Sequence, residues 1–232
     1  MLRLITDFDG PITDVSERYY QVYKYCLETS KHPGQSVKPL DKAAFWQLKR
    51  SRVLETQIGI ISGLDETQAK TFAQLRRQTV HTPSYFSYDS LAPGAVAALE
   101  KVQAAGIDLA VMTMRRVKEL DYAFNRYDLG KFFPKNRCYC LKNDYAKTCD
   151  IDDKALLMER ALVELPSVAD TWMVGDTEAD IIAAKNHNVK VMAVLCGIRD
   201  HEQLQLYKPD LIVETLSEAV EILIAKSLSQ VA

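Results

Sequence analysis

Leu2-Arg3-Leu4-Ile5-Thr6-Asp7-Phe8-Asp9-Gly10-Pro11-Ile12-Thr13-Asp14 is the stretch whose reading decides the fold. The apolar run from Leu2 to Ile5 predicts a short buried strand. Two carboxylates two residues apart, then a glycine, fall where that strand ends. Residues i and i+2 of a strand point to the same side. Asp7 and Asp9 are therefore expected to face one small site. Like charges that close raise each other's pKa or demand a cation. The first carboxylate can attack an electrophile, and the second can hold a proton.

A second acidic turn has the same frame. Thr171-Trp172-Met173-Val174 is strand-like, and Gly175-Asp176-Thr177-Glu178-Ala179-Asp180 follows it. Ligands of an open parallel sheet bind beyond the carboxyl ends of its strands, where strand order reverses. If the two strands are neighbours, Asp7, Asp9, Asp176 and Asp180 converge there. Asp180 lies one helical turn from Asp176 and faces the same way. Four carboxylates call for a hard divalent cation, and Mg²⁺ prefers oxygen ligands. One such cluster alone would read as a turn with helix-capping acids. Thr177 and Glu178 read as capping residues. Thr113 ends the run Leu109-Ala110-Val111-Met112, where a hydroxyl and the following amide of Met114 can donate to a phosphate oxygen.

With these motifs in this order, the chain resembles the haloacid dehalogenase-like superfamily of phosphohydrolases. The resemblance rests on the Asp-x-Asp-Gly opening, the Met112-Thr113 strand end, a downstream lysine and the Gly-Asp-x-x-x-Asp box. It is closest to the capped phosphoglycolate phosphatase and β-phosphoglucomutase branch. It implies a Rossmann-like parallel sheet sandwiched by helices, with an inserted all-helical cap. It also implies a Mg²⁺-dependent phosphatase of a small phosphorylated metabolite, phosphoglycolate-like or a sugar phosphate, working through an aspartyl phosphate. In that scheme Asp7 is the nucleophile, and Asp9 is general acid and then base. The metal is held by Asp7, Asp176, Asp180 and the backbone carbonyl of Asp9. Thr113, the Met114 amide and a lysine bind the phosphate. The lysine is Lys154, which opens a helix in Asp153-Lys154-Ala155-Leu156-Leu157, or else Lys147. Pro11 stands where relatives often have threonine, and Met114 where many have asparagine. The rival readings are a sugar phosphomutase that uses the same aspartyl phosphate, and a non-catalytic member that binds phosphate ligands and regulates a partner.

The remaining pattern supports an α/β architecture. Residues 2–7, 107–113, 137–141, 170–174, 189–195 and 210–213 read as strands. Helical patterns over 94–105, 116–128, 153–165, 178–187, 200–206 and 215–227 alternate with them, which predicts a parallel sheet covered on both faces. Residues 15–90 break the alternation. They read as helices from Ser16, from Lys42 to Glu55 and from Asp65 to Val80, with a loop from Lys31 to Pro39. The expected division is a core of 1–14 and 91–232 and a cap of 15–90. Within the cap, Tyr19, Tyr20 and Tyr23 read as packing residues, and Lys49, Arg50 and Arg52 as a basic run. Arg115 and Arg116 read as first-turn helix residues, or one of them as a phosphate fork.

The chain has 232 residues, is 47% hydrophobic and carries a net charge of −2. That is ample for a buried core and offers no basic field for nucleic acid or a membrane surface. Five cysteines are scattered, and no Cys/His frame for zinc appears. Cys138 and Cys140 are expected to be buried free thiols. The first apolar run lacks a signal-peptide layout, and the C-terminal run carries Glu214, Glu218 and Glu221. The expectation is a reduced, cytoplasmic protein, monomer or homodimer, whose partner is a small phosphate ester.

Overall fold

The computed structural model describes residues 1–229. In chain order the elements are β1 (Leu2–Thr6), β2 (Thr13–Asp14), α1 (Ser16–Ser30), α2 (Lys42–Arg50), α3 (Glu55–Ile61), α4 (Glu66–Thr79), β3 (Ser90–Leu91) and α5 (Ala95–Ala104). There follow β4 (Asp108–Arg116), α6 (Val117–Tyr127), β5 (Cys138–Leu141), α7 (Asp150–Glu164), β6 (Asp170–Gly175), α8 (Glu178–Asn186), β7 (Lys190–Val194), α9 (His201–Gln205), β8 (Leu211–Val213) and α10 (Leu216–Ser229).

By contact density the chain divides into two compact units. The first comprises Met1–Asp14, Leu91–Gly197 and the chain from His201 onward. Its sheet has six strands in the order β5-β4-β1-β6-β7-β8, and all the pairings are parallel. A parallel sheet is covered on both faces, so its strands are apolar on both sides. Leu2, Leu4, Leu109, Val111, Trp172, Val174, Met192 and Val194 pack with residues of α5, α6 and α10. The alternate positions Ile5, Ala110, Met112, Met173, Val191 and Ala193 pack with residues of α7 and α8. The period of two in the sequence is this division between faces.

Strand order reverses at β1, which lies between β4 and β6. The register aligns Thr6 with Val111 on one side and with Val174 on the other. The two acidic turns therefore leave adjacent strands at the same end of the sheet, as the sequence reading required. All six expected core strands are present. Two expectations are corrected. β4 continues through Thr113 to Arg116, so Arg115 and Arg116 belong to a strand and not to a helix turn. Its pairing with β5 shifts register between Met112 and Arg116. Cys138 and Cys140 are only half-buried, because the inward positions of β5 go to Tyr139 and Leu141.

The second unit, Val15–Ser90 with Ile198–Asp200, contains α1 to α4. Its core gathers Val22, Tyr23, Cys26, Leu27, Phe45, Ile58, Leu64, Ala69, Phe72 and Val80. Tyr23 stacks on Phe45 with ring centroids 4.6 Å apart, and its hydroxyl meets Ser62 Oγ at 2.8 Å. Asp41 caps α2, and Asp65 with Gln68 forms a capping box on α4. The helix expected over Lys42–Glu55 is two helices. It breaks at Ser51 and Arg52, where Arg52 takes a left-handed φ of 57°, and α3 starts afresh at Glu55. No helix among the described residues is long and apolar enough to cross a membrane.

Candidate active site

Asp7 is the first residue beyond β1 and is 7% exposed. Its amide continues the ladder by donating to Val174 O at 2.7 Å. Its Oδ1 accepts from the Phe8 amide at 2.6 Å, and its Oδ2 receives Lys154 Nζ at 2.6 Å. Lys154 sits in the first turns of α7, is 1% exposed, and also forms an ion pair with Asp180 Oδ1. Lys147 instead pairs with Asp150 at 3.2 Å, one turn away on the chain. Of the two candidate lysines, Lys154 is the one that reaches the carboxylates.

Asp176 and Asp180 are both buried. Asp180 Oδ2 accepts from the Thr177 amide at 3.1 Å and the Thr177 hydroxyl at 2.7 Å, which caps α8. Carboxylate oxygens of Asp7, Asp176 and Asp180 lie within 4.8 Å of one another. Burial raises the pKa of Asp7 well above the usual carboxylate range. The Lys154 ammonium pulls it back, while Asp180 and Asp176 push it further up. The two carboxylates more than offset the burial of Lys154 and raise its pKa, so it stays charged. The hard donor set, and a cluster of three acids against one ammonium, fit a divalent cation of the Mg²⁺ kind.

Glycine makes this packing possible. Gly10 has φ +92°, and a Cβ there would strike the Asp176 carboxylate. A Cβ on Gly197 would strike the same carboxylate from the loop after β7, again far inside contact distance. The Asp-Gly turn is thus as much a cradle for Asp176 as a turn.

The fourth expected carboxylate does not join the cluster. The chain turns at Phe8, whose carbonyl accepts from the amides of Ile12 and Thr13, so strand alternation no longer governs Asp9. Asp9 Oδ1 accepts from Arg115 Nε at 2.8 Å, Arg115 Nη2 at 2.7 Å and Thr13 Oγ1 at 3.0 Å. Its partners thus include a cation and a hydroxyl, which the sequence reading did not anticipate. Arg115 is 2% exposed and is a site residue that sequence reasoning left among the solvated alternatives.

Thr113 is 1% exposed, and its Oγ1 accepts from the Arg115 amide at 3.2 Å. Pairing of β1 with β4 ends at Thr6 and Val111, so Thr113 and Met114 stand where the ladder opens. A further support was missed. Asp153, next to Lys154, accepts from Tyr145 Oη at 2.8 Å, Thr148 Oγ1 at 2.8 Å and Thr148 N at 3.1 Å, which fastens the start of α7.

The fold and site define a doubly wound α/β protein with a carboxylate–lysine centre at its switch point. A family model described as haloacid dehalogenase-like hydrolase matches residues 4–194, and the chain belongs to that family. A phosphoglycolate phosphatase of Vibrio parahaemolyticus is 28% identical over 177 residues, covering 74% of this chain and 72% of the relative. A pyrophosphatase of Anoxybacillus flavithermus is 37% identical over 67 residues, 28% of this chain and 31% of that protein. Among solved structures, a haloacid dehalogenase-like family hydrolase from Streptococcus pneumoniae aligns with TM-score 0.68 at 18% identity, covering 95% of this chain and 97% of the other. A hydrolase from Pseudomonas syringae aligns with TM-score 0.59 at 18% identity, covering 96% and 98%. At these identities the structures speak for the fold.

Proposed function

We propose that this hydrolase is a Mg²⁺-dependent phosphatase of a small phosphorylated metabolite, phosphoglycolate-like or a sugar phosphate. The observation that carries the reading is Lys154, buried between Asp7 and Asp180 beside Asp176 at the ends of adjacent parallel strands. The relatives named for phosphoglycolate and pyrophosphate support phosphorus as the electrophile.

Asp7 attacks phosphorus through a carboxylate oxygen, and the P–O bond to the substrate's alcohol breaks. Asp9 gives the departing oxygen its proton. Asp9 then takes a proton from water as the water attacks the aspartyl phosphate, which restores Asp7 and releases inorganic phosphate. Lys154 draws the pKa of Asp7 down against its burial and adds positive charge for the transferring group. Thr113 and the Met114 amide donate to phosphate oxygens, and Arg115 fixes the Asp9 carboxylate. Asp7, Asp176, Asp180 and the Asp9 carbonyl would hold Mg²⁺, which when bound supplies charge that offsets the phosphate oxygens. The insertion of residues 15–90 is proposed as the cap that selects substrate. Five free cysteines accord with a reducing, cytoplasmic setting.

The test is a panel of phosphate esters assayed with Mg²⁺ and with chelator. Phosphate release should require the metal and vanish in Asp7→Asn. Near-normal turnover of an activated aryl phosphate by Asp7→Asn would defeat the assignment. Isomerisation of sugar phosphates without net phosphate release would favour a mutase.

A further inference from the structure

Thr13, the first residue of β2, is fully buried and has no part in the reaction as derived above. Its backbone closes the turn that carries Asp9. The Thr13 amide donates to Phe8 O at 3.0 Å, and its carbonyl accepts from the Gly10 amide at 2.8 Å. Any residue could make those bonds, so the turn itself does not call for a hydroxyl. That hydroxyl lies between two acceptors, Asp9 Oδ1 at 3.0 Å and Phe8 O at 3.2 Å. It has one hydrogen to give and rotates to suit its surroundings. Phe8 O does not depend on it, since the amides of Ile12 and Thr13 already donate there at 3.1 and 3.0 Å. A hydrogen bond to an ionised acceptor is about twice as strong as one between neutral groups, so a charged Asp9 draws the hydrogen to itself. Arg115 grips the same Asp9 oxygen with Nε and Nη2 at 2.8 and 2.7 Å. Its planar fork is always charged and cannot turn its donors away. Of these two partners of Asp9, the hydroxyl is the one that can adjust to a proton.

We infer that Thr13 is a positioning residue for the Asp9 proton transfers, donating to Oδ1 while Asp9 is ionised and turning to Phe8 O while Asp9 carries the proton. This rests on the phosphatase reading, in which Asp9 is acid and then base. As Asp9 gives its proton to the departing oxygen, the Thr13 hydrogen swings onto Oδ1 and steadies the new carboxylate. As Asp9 takes a proton from the attacking water, the hydrogen swings back. No bond of Thr13 is made or broken.

Thr13→Val keeps the shape and the branched carbon and removes the hydroxyl. In the kinetic arm, kcat/KM for the best alkyl phosphate of the ester panel should fall about tenfold, the worth of one hydrogen bond to a charged group. With 4-nitrophenyl phosphate, whose leaving group departs without a proton, it should change less than about twofold. Thr13→Ser should regain most of the alkyl rate. An equal fall on both esters is what a merely structural role gives, and it overturns the inference, as does no fall on either. The second arm needs no turnover. In urea unfolding with chelator, Thr13→Val should lower the folding equilibrium constant about tenfold in the wild type and far less when Asp9 is replaced in Asp9→Asn. Equal costs in the two backgrounds would strike the Thr13–Asp9 contact and leave the phosphatase reading standing. A chain inactive on every ester would strike the phosphatase reading, and with it the role of Thr13 in proton transfer, even if the two backgrounds differ.

Discussion

The Arg115 guanidinium grips one oxygen of the Asp9 carboxylate with two nitrogens, at 2.8 and 2.7 Å, and lies over the Phe8 ring 4.9 Å from its centroid. A planar fork stacked on an aromatic ring is something lysine cannot reproduce. The contact fixes the side chain proposed to move protons in both half-reactions.

Arg115→Met should therefore lower kcat about a hundredfold, the lower end of what a positioned acid–base group contributes. KM should change little, because the phosphate contacts remain. Arg115→Lys should recover only part of the loss. Steady-state assays on one phosphomonoester check this, and an unchanged kcat in Arg115→Met would remove Arg115 from the mechanism.

Lys154→Met tests the charge balance of the cluster. It leaves the buried carboxylates of Asp7 and Asp180 without their ammonium. Removing one partner of a buried pair costs about 3–5 kcal/mol. Mg²⁺ should restore part of that loss by mass action on the folded state, so it should raise the melting temperature more in the variant than in the wild type. Identical melts with Mg²⁺ and with chelator, in both proteins, would mean that the carboxylates do not hold the metal.

Gly197→Ala tests the cradle around Asp176. The added methyl would overlap the carboxylate, so Asp176 must shift. The expected outcome is loss of about 1–3 kcal/mol, typical of overpacking, with activity falling far more than stability. Gly130→Ala is the control, since a Cβ there has nothing within 4 Å. Calorimetry and turnover on both variants decide it, and equal behaviour would show that Asp176 tolerates displacement.

The sheet was legible because a parallel strand buried on both faces is a short apolar run, and the first helix between such runs is bracketed by glycine signals. Gly106, with φ +64° after α5, is one of them. Asp7, Asp176 and Asp180 were legible because glycine and strand ends frame them. Asp9 was only half legible. Its type and place were clear, but its partner comes from Arg115, 106 residues away, through a strand whose register shifts at that point. No local pattern announces such a contact. The break after Arg50 escaped notice because neither glycine nor proline marks it, and Arg52 carries the left-handed φ instead.

Asp153 gives a pH test of the support behind Lys154. Burial pushes its carboxyl up, but the hydrogen bonds from Thr148 and Tyr145 more than offset that and hold it below the usual range. The unfolded chain then binds more protons than the folded one between the depressed folded pKa and the ordinary value near 3.9, so stability rises with pH across that window. The contribution is fully present above the ordinary value and is lost as pH falls through the folded one. Asp153→Asn keeps the shape and removes the charge. At pH 7 it should be less stable than the wild type by about 1–3 kcal/mol, the worth of hydrogen bonds to a charged group. Urea unfolding stepped from pH 6 toward pH 2 should bring the two curves together. If they stay parallel, the Asp153 clasp carries no ionic share of the stability around Lys154.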